Sequence, residues 1–508
     1  MRTAPGIFPV VAIDRGSTTP LYRQLYENYR DAIVERRLRA GQRVPSTRSL
    51  AAELQISRIP VLNAFEQLLA EGYLESRVGS GTFVARSLPD LMPRTSITST
   101  ERRPIVRQAS RVIAPSAKAL LRYSPGPWLR GRGAFHVGEP PIDRFPIRIW
   151  SQLTARHSRK LAQAELHYGD SPGFAPLREA VAEYLRTARA VRCEAEQIVI
   201  VAGSQQALAL AARVLLDRGD PVWLEDPAYF GARNVFTMEG AHIVPVPVDE
   251  EGLDVSAGIA RCKQASAVFV TPSHQFPLGV TMSASRRLQL LNWASAAGSW
   301  IIEDDYDSEY RYESLPIASL QGLDREARVI YIGTFAKILF PSIRLGYVVL
   351  PSDLVDPFVQ ARRAMDICPP TFLQAVLTDF IEEGHFARHI RRTREICRER
   401  RRALLESLRS EFGNEIEILG DDAGMFLTVA LPDGWDDRKA AEAAAREGLL
   451  AVPLSDLYLG SAPARVGFVL GFGGTGVAEI RAGVRHLRRI VLSEAAPARG
   501  RRIARGSR

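Results

Sequence analysis

Two patterns of hydrophobic and polar residues divide the chain. In the first 85 residues, Leu21, Leu25, Tyr29 and Ile33 recur at helical spacing, and further amphipathic stretches lead to a short strand-like end. From residue 131 to residue 492, β-branched runs such as QIVIV, AVFV and VIYIG alternate with longer amphipathic stretches. Strand, helix and strand in repetition predict a mostly parallel α/β sheet with helices on both faces, which binds ligands at the carboxyl ends of its strands.

A third kind of segment joins and follows these zones. Residues 86–130 are rich in Pro, Ser, Thr and Arg and carry a net charge of +7, which predicts a linker. Residues 493–508 form a basic tail, to which the last eleven residues contribute +5. We therefore expect a helical module over 1–85, the linker, an α/β domain over 131–492 and the tail. Flexible basic segments favour nucleic acid phosphates, although charge that serves only solubility has the same pattern.

Composition excludes several classes of protein. The chain has 508 residues, 46% of them hydrophobic and 24% charged, which are ordinary values for globular domains. It lacks a run of about 18 apolar residues that would predict a membrane helix, and its N-terminus lacks the layout of a signal peptide. The cysteines form no CxxC pair, so we expect buried thiols in the cytoplasm, with neither a disulfide frame nor a metal site. These cysteines are Cys193, Cys262, Cys368 and Cys397.

The N-terminal zone predicts a winged helix-turn-helix. A helix over residues 20–35 precedes a second one, which Ser46 or Thr47 can cap, and a third one, which Ser57 can cap. Two short strands around the glycines of GSG follow as the wing. The third helix of such a module enters the major groove of DNA with its N-terminal residues. A small helical protein-interaction module would share the bare pattern.

The residues narrow this choice. Arg58 stands at the start of the third helix, and Arg48 and Arg77 are placed to contact phosphates or the minor groove. The segments PLYRQLYENYRDAI, GQRVPSTRSLAAEL, SRIPVLNAFEQLLAEGYLES and GSGTFV resemble the GntR-type winged helix of bacterial regulators, although Pro60 replaces a residue that is often β-branched or small and polar. The predicted DNA-binding residues are Ser46, Arg48, Ser57, Arg58, Arg77 and Gly79.

The sharpest chemical signal is Lys337. It follows the apolar strand VIYIG and stands among Phe335, Ile338 and Leu339, although lysine is rarely buried. Desolvation lowers the pKa of an amine, which is how a lysine becomes able to form a Schiff base. In this segment alone, a surface lysine that packs its aliphatic stem would be the favoured interpretation.

Other strand ends carry groups that pyridoxal 5′-phosphate (PLP) requires. The cofactor needs an anion near its pyridine nitrogen, an aromatic residue against its ring and a donor to its ring hydroxyl. Asp304 can supply the anion, with Asp305 as the one-residue alternative. Tyr229 can stack on the ring, and Tyr306 can reach the ring oxygen.

A phosphate site is also predicted. Gly203, Ser204 and Gln205 follow a strand and open a helix, where backbone N–H groups bind anions. Thr334 lies three residues before the lysine and Arg344 lies seven after it, and both suit the same phosphate.

Together these segments resemble the fold-type-I aminotransferases over roughly residues 135–490. HYGDSPGFAPLREAVAEYL, VAGSQQAL, LEDPAYFG, TPSHQFPLGVTM, IIEDDYDSEYRY and GTFAKILFPSIRLGY carry the resemblance. It implies a large mostly parallel sheet with a smaller α+β subdomain. It also implies that Lys337 forms the Schiff base with PLP, that Asp304 pairs with the pyridine nitrogen and that Tyr168 reaches the phosphate of the partner subunit.

One turn departs from the aminotransferase pattern. Aminotransferases commonly use an Asn in an NPTG-like turn to bond the ring hydroxyl, whereas this chain has HQFPLG. Phe276 cannot form that bond, so His274 or Gln275 replaces it or the bond is absent. Arg465 is the candidate for binding the effector carboxylate, with a surface arginine as the alternative.

A GntR-type winged helix, a basic linker and an aminotransferase-like domain in this order resemble the MocR family of bacterial regulators. The resemblance implies PLP-dependent control of transcription without physiological turnover. An amino compound, or PLP itself, would act at the Schiff base of Lys337 and shift a homodimer between two arrangements on double-stranded operator DNA. The dimer would be domain-swapped, cytoplasmic and nucleoid-associated when bound.

Two other functions remain open from the sequence. The chain would be a genuine PLP-dependent aminotransferase with an accessory DNA-binding module, or a DNA-binding protein whose pocket no longer holds the cofactor. Lys337 does not separate the regulator from the enzyme, because Schiff-base chemistry serves both.

Overall fold

The computed structural model divides the chain into two compact units, with the boundary between residues 111 and 112. It describes residues 13–77, 79–87, 113–121, 126–129, 131–160, 167–312, 318–460 and 463–495. Most of the predicted linker (88–112, 122–125 and 130) and most of the predicted tail (496–508) lie outside the described residues.

The first unit is a winged helix-turn-helix, as predicted. Its elements are α1 (Leu21–Val34), α2 (Thr47–Glu53), α3 (Arg58–Ala70), β1 (Leu74–Arg77) and β2 (Gly81–Val84). Tyr29 of α1 packs edge-on against Phe65 of α3, with 5.3 Å between the ring centroids. The Ser46 hydroxyl accepts a hydrogen bond from the Ser49 N–H at 3.1 Å and so caps α2. Ser57 occupies the N-cap position of α3 in an extended conformation without a side-chain cap bond, so the predicted Ser57 cap is wrong in that respect.

The second unit contains an eight-stranded sheet. Its strands are β3 (Ile198–Val201), β4 (Pro221–Asp226), β5 (His242–Asp249), β6 (Gly252–Leu253), β7 (Ala267–Val270), β8 (Trp300–Asp305), β9 (Val329–Thr334) and β10 (Gly346–Val349). Their spatial order is β3-β10-β9-β8-β7-β4-β5-β6. Strands β9, β8, β7, β4 and β5 run parallel as neighbours, while β10 and β6 are antiparallel to the strands they pair with.

Alternate residues of β4 show that both faces of this sheet are covered. Val222 and Leu224 pack in one apolar cluster, which also contains Phe236 of a neighbouring helix. Trp223 packs in another cluster and stacks on Trp293, with 3.7 Å between the ring centroids. Because neighbouring strand residues point to opposite faces, the mostly parallel sheet is sandwiched between helices, as predicted.

A smaller antiparallel sheet follows a long helix that ends at Phe412. Its strands are β11 (Glu417–Leu419), β12 (Phe426–Leu431), β13 (Val452–Pro453) and β14 (Val466–Gly471), in the order β11-β12-β14-β13. The helices of the unit are α4 (Pro115–Leu120), α5 (Ile147–Lys160), α6 (Ala175–Arg189), α7 (Ser204–Leu215), α8 (Phe230–Glu239), α9 (Val255–Arg261), α10 (Ala284–Ala297), α11 (Leu320–Leu323), α12 (Val355–Asp366), α13 (Thr371–Glu382), α14 (His385–Phe412), α15 (Asp437–Arg446) and α16 (Val477–Ile490). Helix α4 lies within the range assigned to the linker.

The four cysteines are free thiols. Cys193 and Cys397 are buried, but Cys262 and Cys368 are partly exposed, so the expectation of burial is wrong for these two. Both lie at the end of a helix or just after one, where side chains meet solvent. Among the described residues, no helix combines the length and the apolar character that a bilayer-spanning segment needs, and no group of three or more metal-ligating side chains occurs.

Candidate cofactor and DNA-binding sites

A cavity of about 380 Å³ lies in the second unit, where loops at the carboxyl ends of parallel strands meet residues of the small sheet. It collects residues that are far apart in sequence. The lining residues are Leu129, His136, Val137, Gly138, Ser204, Tyr229, Phe230, Thr271, Phe276, Asp304, Tyr306, Asp307, Lys337, Met425, Phe426 and Val452.

Lys337 lies in this cavity three residues after β9. Its Nζ donates a hydrogen bond to the Gly138 carbonyl at 2.9 Å. A Cβ at residue 138 would collide with Nζ, and the backbone there has a φ of +76°, so glycine permits this approach. Burial lowers the pKa of Lys337, while the negative charges of Asp307, Asp304 and Glu139 oppose the shift. The amine is therefore closer to its neutral, nucleophilic form than an exposed lysine is.

Asp304 lines the same cavity from β8. Its Oδ1 has no hydrogen-bond partner within the described part of the chain. Burial raises its pKa to about 7, the charge of Asp305 acts in the same direction, and Lys337 opposes both. An orphaned carboxylate oxygen in a cavity calls for a ligand donor, and the protonated pyridine nitrogen of PLP fits that requirement.

Asp305, the alternative to Asp304, is absent from the cavity lining. Its Oδ2 accepts hydrogen bonds from Arg189 Nε at 2.7 Å, Ser308 Oγ at 3.0 Å and the Tyr331 hydroxyl at 2.5 Å. Burial by itself would raise the pKa of Asp305, but the Arg189 charge and these hydrogen bonds lower it overall. Of the two carboxylates, the structure therefore brings Asp304 to the cavity.

Two tyrosines form part of the cavity wall. The Tyr229 hydroxyl accepts a hydrogen bond from Gln205 Nε2 at 3.2 Å. Burial raises the pKa of Tyr229 to about 12, so its ring is a neutral phenol suited to stacking. The Tyr306 hydroxyl donates to the His274 carbonyl at 2.9 Å, which fixes the orientation of that ring.

The predicted phosphate residues lie side by side at the strand ends. Gly346 of β10 pairs with Val201 of β3 on one side and with Thr334 of β9 on the other. Ser204 begins α7 and lines the cavity, and a Cβ at Gly203 would lie 3.5 Å from the Arg344 guanidinium. The N–H groups at the start of this helix and the guanidinium together suit a phosphate group.

His274 and Gln275 are absent from the cavity lining and hold loops instead. His274 Nδ1 lies 3.1 Å from Asp307 Oδ2, and both Asp307 and the bonded Tyr306 line the cavity. The Gln275 amide donates to the Phe276 carbonyl at 2.7 Å, and its Oε1 accepts from a backbone N–H. Phe276 itself faces the cavity.

Two further predicted residues lie elsewhere. Tyr168 is 81% exposed in the single chain, and its contact with a partner subunit stays a prediction. Arg465 Nη1 lies 2.7 Å from Glu417 Oε2 on the surface. The register of β14 on β12 pairs Gly471, at the far end of the strand from Arg465, with the cavity-lining Phe426. The structure therefore does not bring Arg465 to the cavity.

Sequence reasoning missed one wall of the cavity. Residues 136–138, together with Met425, Phe426 and Val452, carry no titratable pattern that singles them out. Gly138 in HVGEP was the one available signal, because a glycine can mark a close approach of the backbone to another group.

In the first unit, the predicted DNA-contacting residues of the helices share one region. Arg58 opens α3, and its Nε donates to Thr47 Oγ1 at the start of α2 at 3.1 Å. Arg48 is exposed on α2, and Ser46 and Ser57 occupy the N-cap positions of α2 and α3.

The wing presents a different set of contacts. Arg77 ends β1, pairs with Glu75 at 2.6 Å and holds its guanidinium 4.7 Å from the Phe83 ring centroid. Gly79 in the following turn has a φ of +73°, a conformation that favours glycine. The sequence reasoning did not single out Ile59 and Leu62, which are 67% and 37% exposed on α3.

Comparison with protein families assigns both units. Residues 135–470 match the family model of aminotransferase class I and II, and residues 21–84 match that of bacterial regulatory proteins of the gntR family. The probable rhizopine catabolism regulatory protein MocR of Rhizobium meliloti is 40% identical over 95% of this chain and 96% of its own length. The pyridoxine biosynthesis regulator PdxR of Corynebacterium glutamicum is 30% identical over 91% and 94%.

Solved structures resemble the second unit. Kynurenine aminotransferase of Pyrococcus horikoshii, solved with PMP, has 31% identity and a TM-score of 0.67 over 76% of this chain and 96% of its own. The α-aminoadipate aminotransferase LysN of Thermus thermophilus, complexed with N-(5′-phosphopyridoxyl)-L-leucine, has 30% identity and a TM-score of 0.66 over 75% and 96%.

Proposed function

Because this chain belongs to the MocR type of GntR-family regulators, in which an aminotransferase class I and II domain follows the DNA-binding module, we propose that it controls transcription in response to an amino compound. The observation that carries this proposal is the full-length similarity to regulators that share both modules. A DNA-binding unit and an amine-binding cavity in one chain couple the two events when the ligand prefers one arrangement of the protein on DNA.

The cofactor of the second unit is pyridoxal 5′-phosphate. When bound, it would supply an aldehyde carbon that can bond to a primary amine, and Lys337 is the residue placed to hold it. We propose that Asp304 holds the pyridine nitrogen through its orphaned Oδ1 and that the Tyr229 ring stacks on the cofactor ring. The Gly138 carbonyl receives the Lys337 amine whenever that amine is free.

We propose that Gly203, Ser204, Gln205, Thr334 and Arg344 surround the phosphate. The start of α7 supplies backbone donors, and the Arg344 guanidinium supplies the countercharge. Tyr168 is highly exposed in the single chain, which supports a contact across a homodimer. In that dimer, domain-swapped packing would let one subunit's cavity influence the other subunit's DNA-binding unit.

The DNA-binding proposal assigns base reading to α3. Arg58 suits guanine, whose major-groove edge offers two acceptors, and the exposed side chains of Ile59 and Leu62 suit thymine methyl groups. Arg48 and Arg77 would contact phosphates. Loss of a base contact should therefore weaken binding to the specific DNA sequence. Loss of a phosphate contact should weaken binding to all DNA sequences alike, because only the base contacts depend on sequence.

The direct test measures binding of the full-length protein to the region upstream of its own gene, with and without PLP and candidate amines. We expect specific binding whose affinity or footprint changes with an amine when PLP is present. Arg58→Ala should weaken specific DNA binding by about tenfold or more, while the visible absorbance band of the bound cofactor is retained. Unchanged specific binding in this variant would refute the assignment of α3.

A genuine aminotransferase is the second candidate, because the cavity retains Lys337, Asp304 and Tyr229 together. Turnover of an amino acid that depends on added ketoacid, measured with purified protein, separates the two functions. We expect none at rates of an ordinary enzyme, for which about 10 s⁻¹ is typical. Rapid transamination of a common amino acid would overturn the regulator as the sole function.

A further inference from the structure

The part of the cavity that is left after the proposed cofactor contacts is mainly apolar. Its side chains come from the segment before α5, from the start of α8 and from the small sheet. They are Leu129, Val137, Phe230, Met425, Phe426 and Val452. A wall of this kind stabilises a hydrophobic group and offers nothing to replace the water around a charge.

The charges around this wall are unfavourable for a carboxylate. Lys337 is the one lysine or arginine among the described lining residues, and its Nζ is engaged either by the cofactor or by the Gly138 carbonyl. Asp304 and Asp307 line the same cavity, and the Glu139 charge also acts on Lys337. Among the described lining residues, a ligand carboxylate would therefore meet like charges without the countercharge of a lysine or arginine dedicated to it.

The two described arginines that were candidates for binding an anion in this domain lie away from the apolar wall. The Arg344 guanidinium lies beside Gly203 at the phosphate end, and Arg465 is paired with Glu417 on the surface. Among the described lining residues, one buried polar atom besides Asp304 Oδ1 has no hydrogen-bond partner, namely His136 Nδ1, which lies 3.9 Å from Glu139 Oε2. It suits a neutral polar group, since burial lowers the pKa of this imidazole and favours its uncharged form.

We propose that the effector of this protein is a primary amine that lacks a carboxylate and whose remainder is uncharged and mainly apolar. This inference rests on the proposed function, because it names the class of ligand for the same cavity. The amine nitrogen reaches the position of Lys337 Nζ, and the remainder packs against the apolar wall. Amino acids are disfavoured by their carboxylate, which finds no arginine among the cavity-lining residues that the structure describes.

The test titrates the full-length holoprotein with 2-phenylethylamine and with L-phenylalanine, which carries the same ring plus a carboxylate. The visible band of the cofactor and DNA affinity are both followed. We expect the amine to change both at concentrations at least about tenfold lower than the amino acid, because an unpaired charge is costly to bury. Equal or better response to L-phenylalanine, or to 1,5-diaminopentane, would overturn the inference.

A matched pair of variants tests the electrostatic cause. Leu129→Arg adds a cation to the cavity at a partly exposed position, while Leu121→Arg adds the same charge at an exposed residue that does not line the cavity. We expect the preference for the amine over the amino acid to fall by about tenfold in Leu129→Arg alone. An unchanged preference in Leu129→Arg would overturn the inference.

Failure of the proposed function can be distinguished from failure of the inference about the effector. If the holoprotein shows no visible band, or the band persists in Lys337→Ala, the cofactor assignment fails and the inference fails with it. If the band depends on Lys337 and DNA is bound specifically, but L-phenylalanine is preferred, only the inference about the effector is wrong.

Discussion

Asp304 and Asp305 are adjacent, yet strand β8 presents them to opposite faces of the sheet. On one face, Asp305 Oδ2 accepts hydrogen bonds from Arg189, Tyr331 and Ser308, and the pKa of Asp305 is lowered. On the other face, Asp304 lines the cavity and has a pKa raised to about 7. Oδ1 lacks a hydrogen-bond partner within the described chain in both carboxylates, but only Asp304 lines the cavity.

This difference indicates that the Asp305 carboxylate stabilises the fold, whereas the Asp304 carboxylate is available to bind a ligand. Buried charges are tolerated when they are paired, and Arg189 pairs with Asp305. Asp304 lacks such a partner in the described chain, so its burial costs stability until a ligand supplies a donor. Functional sites often show this cost, which bound cofactor then offsets.

The largest expected effect is the loss of stability in Asp305→Asn. Removing this charge leaves the Arg189 guanidinium, whose side chain is 4% exposed, without its countercharge. We expect the second unit to lose about 3–5 kcal/mol of unfolding free energy in the apoprotein at pH 7, measured by denaturant titration. Asp304→Asn is the matched control and should show no loss. Equal losses would remove the distinction between the two carboxylates.

The pH dependence of stability should differ between wild type and Asp304→Asn. The raised pKa means that the folded protein keeps a proton that the unfolded chain releases, so this stabilisation is complete below about pH 4 and is lost as pH rises to about 7. Glu225, Glu303 and Glu309 titrate in the same range and are present in both proteins. The apo variant should therefore gain up to about 4 kcal/mol relative to wild type between pH 4 and pH 7.

A difference that stays constant over this pH range would contradict the raised pKa of Asp304. Denaturant titrations of both apoproteins at several pH values provide the measurement.

Cofactor affinity should respond to Asp304 and not to its neighbours on the other face. We expect Asp304→Asn to weaken PLP binding by about 100-fold, because a buried charged hydrogen bond is lost. Titration of the apoprotein with PLP, followed by the visible band, gives the dissociation constant. Glu303→Gln changes a buried carboxyl on the opposite face and serves as control. A comparable loss of PLP affinity in both variants would mean that the substitutions disturb strand β8 as a whole and not a specific contact of Asp304.

The smallest effect concerns Ser204, whose hydroxyl contacts Asp304 and lowers the pKa of that carboxyl. Without this hydrogen bond, the pH midpoint of Asp304 should rise by less than about one unit, since such a bond contributes about 1 kcal/mol. The stability profile of apo Ser204→Ala measures the shift. In the Asp304→Asn background, the same substitution should leave the profile unchanged, and a shift there would assign it to another group.

The sequence was sufficient to predict residues whose position follows from strand order. Lys337, Asp304 and Tyr229 each follow or end a strand of the parallel sheet, and parallel strands bring their carboxyl ends together. The same reasoning left Asp304 and Asp305 as alternatives. The direction of each side chain depends on which partner, here Arg189 of α6, folds against it.

Other parts of the site depend on features that a single sequence does not reveal. The register of β14 on β12 puts Gly471 rather than Arg465 beside Phe426, and a register is set by tertiary packing. His274 was expected at the cofactor, but its ring is held by Asp307 behind the wall. The apolar wall itself combines segments from both ends of the unit.

The most direct test of the account is borohydride reduction of the purified holoprotein, followed by mass spectrometry of its peptides. Reduction converts an imine between PLP and a lysine into a stable amine, so the modified residue can be identified. We expect the phosphopyridoxyl group on Lys337 alone, and no labelled peptide in Lys337→Ala. Labelling of a different lysine, or of none, would contradict the central claim that this buried amine holds the cofactor.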